Sequence, residues 1–233
     1  MRIFQLLFLT MTLGCGKKDT QPDQAGRVSG TVRSMSGVPI NDVHILVDHS
    51  IFFNSNLSTK SDSQGRYSLS LPKTGGWYAF AIHRAAFNDK IYQCYLHPED
   101  PAGFGSEGAV KNFTWKISGQ KAQPLTGYYG GTITADHFPG VYLDTEKIQF
   151  TLVPQGNLID GSTGQKLIRN ASDGIQLLDV PMGRYRISAK YQNKDLKLRR
   201  WNSDDQFVKE LVFDFEPHID AQCNNCFKIE YNQ

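Results

Sequence analysis

The chain is short of several things, and each shortage excludes a class of protein. No apolar run reaches the roughly 20 residues that a bilayer-spanning helix needs; the longest, Ile3 to Leu13, is interrupted by Gln5, Thr10 and Thr12. Charge of one sign is not in excess, with 25 Lys and Arg against 23 Asp and Glu and a net charge of +2, so nothing marks an electrostatic nucleic-acid binder. Cysteines number only 4, too few for a disulfide-built scaffold. No P-loop or dinucleotide-binding glycine pattern occurs. Gly103-Phe104-Gly105-Ser106 and Gly161-Ser162-Thr163-Gly164 fail the Gly-x-Ser-x-Gly form of a nucleophile elbow.

Metal and acid chemistry are equally thin. The 6 histidines, at 44, 49, 83, 97, 137 and 218, form no close pair. His218 with Cys223 and Cys226 supplies three zinc ligands but lacks a fourth, and an oxidising compartment favours a disulfide instead. The acid pairs Glu99-Asp100 and Asp204-Asp205 sit among turn residues, where solvated loop carboxylates are the ordinary case. No cofactor is expected and the chain reads as a non-enzyme. An unrecognised hydrolase is the third reading, since catalytic groups on loops need no local signature.

What is present begins with a basic start at Arg2, an apolar middle and the small residue Gly14 before Cys15. That is the layout of a secretory leader. Leu13-Gly14-Cys15 resembles the lipobox of bacterial lipoproteins, with Thr12 where Leu is more usual. The resemblance implies cleavage before Cys15 and lipid on its thiol and amine, and hence a membrane partner reached through that lipid. Each buried methylene contributes about 0.8 kcal/mol, and two or more chains make anchoring stable. Cleavage removes Arg2 and no acid, leaving a net charge of +1. Residues 1–14 are therefore expected to be a signal peptide and residues 15–26, polar and without period, a flexible tether. Lys17-Lys18-Asp19 resembles the Lys-plus-acidic sorting signal of some Bacteroidetes lipoproteins. The expected location is the cell envelope, lipid-anchored at the outer membrane, on its surface or its periplasmic face.

From Arg27 helical period is almost absent, and short alternating segments recur between Gly, Pro, Asn and Asp clusters. Val28–Val32, Val43–Val47, Tyr67–Leu71, Trp77–Ile82, Ile91–Leu96 and Phe113–Ile117 all suit strands, and many short strands with turn signals between them indicate a sandwich. Gly30-Thr31-Val32, Gly37-Val38-Pro39-Ile40-Asn41-Asp42-Val43, Thr59, Asp62, Gly65 to Leu69 and Leu71-Pro72 resemble the carboxypeptidase regulatory-like domain of the transthyretin (prealbumin) group, over about Arg27 to Leu96. Such domains accompany enzymes or outer-membrane receptors without catalysing, so the resemblance implies a non-enzymatic module.

Ile117 to Gly127 loses the alternation and gains linker residues, which places a boundary near Gln120. Beyond it Ile148, Phe150 and Leu152 alternate, as do Tyr185, Ile187 and Ala189, then Leu211, Phe213 and Phe215, then Phe227, Ile229 and Tyr231. Leu178 to Ile187 is similar to the strand-turn-strand of collagen-adhesin B-type repeats. Some of those close a Lys-Asn isopeptide from a first-strand lysine; Gly30–Arg33 and Thr132–Thr134 contain none, so no such bond is expected. The fold class is thus all-β, two tandem prealbumin-like Greek-key sandwiches over 27–120 and 121–233.

The function this supports is a cell-envelope lipoprotein acting in binding, spacing or assembly, with an envelope protein or a glycan as candidate partner. A carbohydrate-binding accessory lipoprotein is the alternative. Trp201 is its candidate ligand contact, because it lies where alternation fails, although a ring packed under its own loop is the commoner arrangement. Lipid on Cys15 leaves an odd number of thiols. Cys223-Asn224-Asn225-Cys226 places two across a turn-prone pair, and a local disulfide there requires little chain ordering. A bridge from Cys94 to either would stabilise more on the chain-entropy model, about 5 against about 2 kcal/mol, but needs the two halves to dock with sulfurs in register.

Overall fold

The computed structural model describes residues 26–171, 174–218 and 223–233. Cys15, the leader and residues 15–25 of the tether lie outside the described residues.

The first half contains β1 (Arg27–Ser34), β2 (His44–His49), β3 (Asn56–Lys60), β4 (Arg66–Ser70), β5 (Trp77–Phe87), β6 (Lys90–Leu96), β7 (Gly108–Val110) and β8 (Phe113–Trp115). They form two four-stranded sheets. One runs β4-β1-β7 with β8 also on β1, and the other runs β3-β2-β5-β6. Residues of alternating burial build the space between, with Val28, Val32, Tyr67, Phe113 and Trp115 from the first sheet and Ile45, Val47, Ala81, Tyr92 and Leu96 from the second. Period-two alternation puts one apolar set inward and leaves the other face to solvent.

Turn chemistry closes this half as the residues dictate. Gly37 takes φ +82° between β1 and β2. Asp62 Oδ1 accepts the amides of Gln64 and Arg66 at 2.9 and 2.8 Å, the Asx-type bonding that favours Asp in turns. Lys111 stands between β7 and β8, which both pair parallel to β1, and its amide donates to the Ser29 carbonyl. Its ammonium is buried yet satisfied by Asp100 Oδ2 at 2.7 Å and the Asp100 and Ala102 carbonyls, and its own carbonyl accepts the Tyr67 hydroxyl at 2.5 Å.

The second half contains β9 (Gly131–His137), β10 (Ile148–Pro154), β11 (Leu167–Arg169), β12 (Gln176–Val180), β13 (Arg184–Tyr191), β14 (Lys194–Arg200), β15 (Leu211–Asp214) and β16 (Cys226–Asn232). A 3₁₀ turn, Thr145–Lys147, precedes β10. The pairing path is β11-β10-β13-β14-β16-β9-β12, with β15 on β13. The path folds over because β14 changes partner midway: Lys194–Leu196 pairs with β13, and Lys197–Arg200 with β16. Aromatic rings fill the enclosed space, Phe213 stacking on Phe227 at 4.2 Å and meeting Phe215 edge-on at 5.5 Å.

The all-β class expected from the alternation is what the structure shows. Among the described residues, every strand pair joins residues on one side of the stretch 116–130. The buried side chains of both halves nevertheless form one connected cluster.

Candidate functional site

The two halves meet along β6 and the turn before it. Asn88, Lys90 and Tyr92 alternate toward the second half, and each finds a partner there. Asn88 Nδ2 donates to Asp214 Oδ1, Lys90 Nζ to Glu216 Oε2 and the buried Tyr92 hydroxyl to the Phe215 carbonyl, all at 2.7 Å. Glu216 is also held by Arg200 at 2.9 Å. Burial pushes the Glu216 carboxyl upward, but hydrogen bonds from Lys90 and Arg200 outweigh it and hold the group below its ordinary value.

Cys223 and Cys226 are joined, with Cα atoms 5.9 Å apart; the local pairing read from their spacing is the one formed. Both sulfurs are therefore withdrawn from metal ligation, and His218 Nδ1 instead pairs with Asn224 Oδ1 at 3.0 Å. The staple constrains a turn in which Asn225 takes φ +57°, and Asn225 Nδ2 reaches across to the Gln93 carbonyl at 3.3 Å. Cys94 is a free, buried thiol. Burial pushes it up to about 11, offset in part by the Trp115 indole beside it, so it stays protonated at neutral pH and is a poor nucleophile.

Beside this seam lies a cleft of about 220 Å³. Its walls come from β6, from β8 and the connecting stretch, and from the disulfide turn: Tyr95, Trp115, Lys116, Lys121, Tyr128, Tyr129 and Asn225 are the side chains with chemistry to offer. Tyr95 and Tyr128 are 43% and 42% exposed. Lys116 Nζ sits 5.6 Å from the Tyr129 ring centre, a cation–π contact. The Trp115 indole N–H is directed at the Cys94 thiol, and Asn225 Oδ1 is buried with no hydrogen-bond partner, although buried polar groups are ordinarily paired. Burial, with the Lys121 charge added, holds the neighbouring His97 below its ordinary value. No carboxylate is among the lining residues. The cleft thus offers flat rings, hydrogen-bonding groups and two cations, and no nucleophile paired with a base.

Trp201 lies elsewhere on the second half, just after β14. Its amide donates to the Lys228 carbonyl at 3.0 Å, and Lys228 Nζ sits 5.4 Å from its ring centre. The residue is 45% exposed and does not line the cleft beside the seam. The structure thus brings the Cys223–Cys226 staple to the cleft and leaves Trp201 outside it. Tyr95 and Tyr128 were not singled out from the sequence. The available signal was phase: Tyr95 falls on the outward register of β6, opposite Tyr92 and Cys94, and Tyr128-Tyr129 stand in a stretch with no strand pattern.

No family model matches the chain, and no curated protein matches it. Among solved structures it is similar to the Bacillus anthracis TIE protein, at 11% identity and TM-score 0.33 over 89% of this chain and 34% of that one. It therefore spans about a third of that protein's length. It is also similar to GBS52, the minor pilin of Streptococcus agalactiae, at 12% identity and TM-score 0.29 over 89% of this chain and 95% of that one. A third is the B1 repeat of the collagen-binding surface protein of Staphylococcus aureus, at 14% identity and TM-score 0.23 over 90% and 98%. These likenesses are loose, and the functional reading rests on the site itself.

Proposed function

We propose that the chain is a non-catalytic, lipid-anchored module of the bacterial cell envelope that binds its partner in the cleft between its halves. The observation that carries this is the gathering around one cleft of the exposed rings of Tyr95 and Tyr128, the cations Lys116 and Lys121 and the amide of Asn225. Strand pairing confined to each side of the connecting stretch supports two tandem sandwiches with a boundary near Gln120. The Gly14-Cys15 junction supports an anchor at the outer membrane, on either face.

The same lining favours a glycan over a protein loop as the occupant. A pyranose presents an apolar face to an aromatic ring and hydroxyls at its edge, and the cleft supplies both complements without a charge-matched carboxylate. A glycan array probed with the wild-type chain, Tyr95→Ala, Tyr128→Ala and Trp201→Ala tests this. Binding abolished by the two tyrosine changes and kept in Trp201→Ala supports the cleft; loss only in Trp201→Ala moves the site to that ring. No glycan bound at all, with an envelope protein crosslinked through position 128, would make the partner a protein. Envelope fractionation of Cys15→Ser tests the anchor separately, since a mature chain still in the membrane would remove it.

A further inference from the structure

The loop between β2 and β3 runs Ser50-Ile51-Phe52-Phe53-Asn54-Ser55. Ile51, Phe52 and Phe53 are 80%, 65% and 97% exposed, the reverse of ordinary turn chemistry, in which small polar residues occupy a tip. This tip is built. His49 Nδ1 accepts the amides of Ile51 and Phe52 at 3.1 and 3.2 Å, and the His49 amide donates to the Ser55 carbonyl at 2.9 Å. The His49 ring packs between Phe52 at 4.7 Å and the edge of Trp77 at 4.8 Å. The loop is shaped to hold apolar side chains out in solvent, where they lose about 1.5–3 kcal/mol each relative to burial.

Where this tip lies says what covers it. The Ser50 amide donates to Gly76, tying the loop to the one between β4 and β5. Ser50, Gly76, the half-exposed Tyr78 and Glu107 line one shallow concavity. The Gly26 amide donates to the Glu107 carbonyl at 3.0 Å, and the Gly26 carbonyl accepts the Leu71 amide. The chain therefore enters the sandwich at the end that carries the apolar tip. Val38, beyond the far end of β1, marks the opposite end. From Cys15 to Gly26 is a tether whose full reach is on the order of 40 Å, and it joins the sandwich at this end, so a lipid on Cys15 brings the apolar tip within reach of the bilayer. Lys73 is exposed in the β4–β5 loop, a cation suited to headgroup phosphates. The one carboxylate of the concavity, Glu107, is turned back onto the Gly105 amide.

We infer that Ile51, Phe52 and Phe53 form a second membrane contact, a tip that inserts into the lipid interface and sets the orientation of the tethered protein. Insertion of a few apolar and aromatic residues to the headgroup boundary is the ordinary mode of interfacial attachment, and the tether makes even a weak contact effective by raising local concentration. The geometry rests on the lipid-anchor reading; the contact itself is testable without it. Phe53→Cys and, as control, Val38→Cys chains are labelled with an environment-sensitive dye, the buried Cys94 and the bridged Cys223 and Cys226 being unreactive and Cys15 being acylated in the lipid-held chain and changed to Ser in the tag-held one. Each is placed on vesicles of phosphatidylethanolamine and phosphatidylglycerol, once through its own lipid and once through an N-terminal histidine tag on nickel-chelating lipid. Nitroxides on the acyl chains should quench the dye at 53 severalfold more than at 38, in both attachments. Equal quenching at the two positions, or none at 53 on tag-held chains, overturns the inference and leaves a protein as the occupant of the tip. A lipid-route chain that fails to float with the vesicles instead removes the lipid anchor, and the tag-held arm still decides the tip.

Discussion

Breaking the Lys90–Glu216 pair is the sharpest test of whether the two halves dock as described, because it is the ionic contact between them with both partners mostly sheltered. The ammonium and carboxylate are 2.7 Å apart, with side chains 31% and 22% exposed. Exposed pairs contribute about 0.2–1 kcal/mol and charge-assisted bonds in shelter about 1.5–3 kcal/mol, so this one should couple by about 1–2 kcal/mol. Glu216 also holds Arg200, and a single substitution there would confound two contacts. A double-mutant cycle of Lys90→Met and Glu216→Gln, read by urea unfolding, isolates the pair. The acid dependence follows from the carboxyl's lowered pKa. Its contribution is complete above the unfolded carboxyl value of about 4.3 and is lost as pH falls through the lower folded value. The cycle's coupling should therefore persist from neutral pH down to that range and vanish below it. A coupling at pH 7 within about 0.3 kcal/mol of zero, or one unchanged in acid, would refute the docking and with it the cleft.

Three further outcomes are expected. Gly30→Ala should lose upwards of about 3 kcal/mol or fail to fold, because a Cβ there overlaps the Lys111 carbonyl oxygen that the Tyr67 hydroxyl already fixes; melting temperature reads it. Non-reducing peptide mapping should find Cys223 bridged to Cys226 and Cys94 alkylated only after unfolding, and Cys223→Ser with Cys226→Ser should cost about 2 kcal/mol on the chain-entropy model. Fragments 27–120 and 121–233 should each give β-rich circular dichroism and a cooperative transition, at lower stability than the whole because the seam at Tyr92 and Phe215 is exposed; helical content in either would contradict the boundary.

Most strands were legible because their burial alternates with period two. β1, β2 and β13 place Val28 and Val32, Ile45 and Val47, and Tyr185 and Ile187 inward, and those are the residues whose spacing announces a strand. β3 was not legible: Asn-Leu-Ser-Thr-Lys lies on the edge of its sheet with no buried residue, so no apolar period exists to read. β7 and β11 have three residues each, too few for a pattern. The cleft was hidden for a different reason, since its walls come from residues near 95, 115–130 and 225, and juxtaposition of distant segments leaves no local trace. The Cys223–Cys226 bond was legible because its closure is local. Trp201 drew attention by breaking a pattern, but of the rings that line the cleft Trp115 reads as core, Tyr95 keeps its pattern in the outward phase, and Tyr128 and Tyr129 stand in a stretch without any. Ile51-Phe52-Phe53 has no period either, and only its fractional exposure distinguishes it from core.

The position of β16 bears on how the protein is made. It lies between β14 and β9, antiparallel to one and parallel to the other, and its partners on β9 precede it by most of the second half, as Cys226 opposite Thr132 shows. Synthesis delivers β9 to β15 before it. Until β16 arrives, the inner edges of β9 and β14 face no strand, and unpaired edges template association between chains. The large loop that must close also slows the step. The second half thus has a vulnerable interval before β16 is in place, in which an escorting chaperone has two strand edges to hold.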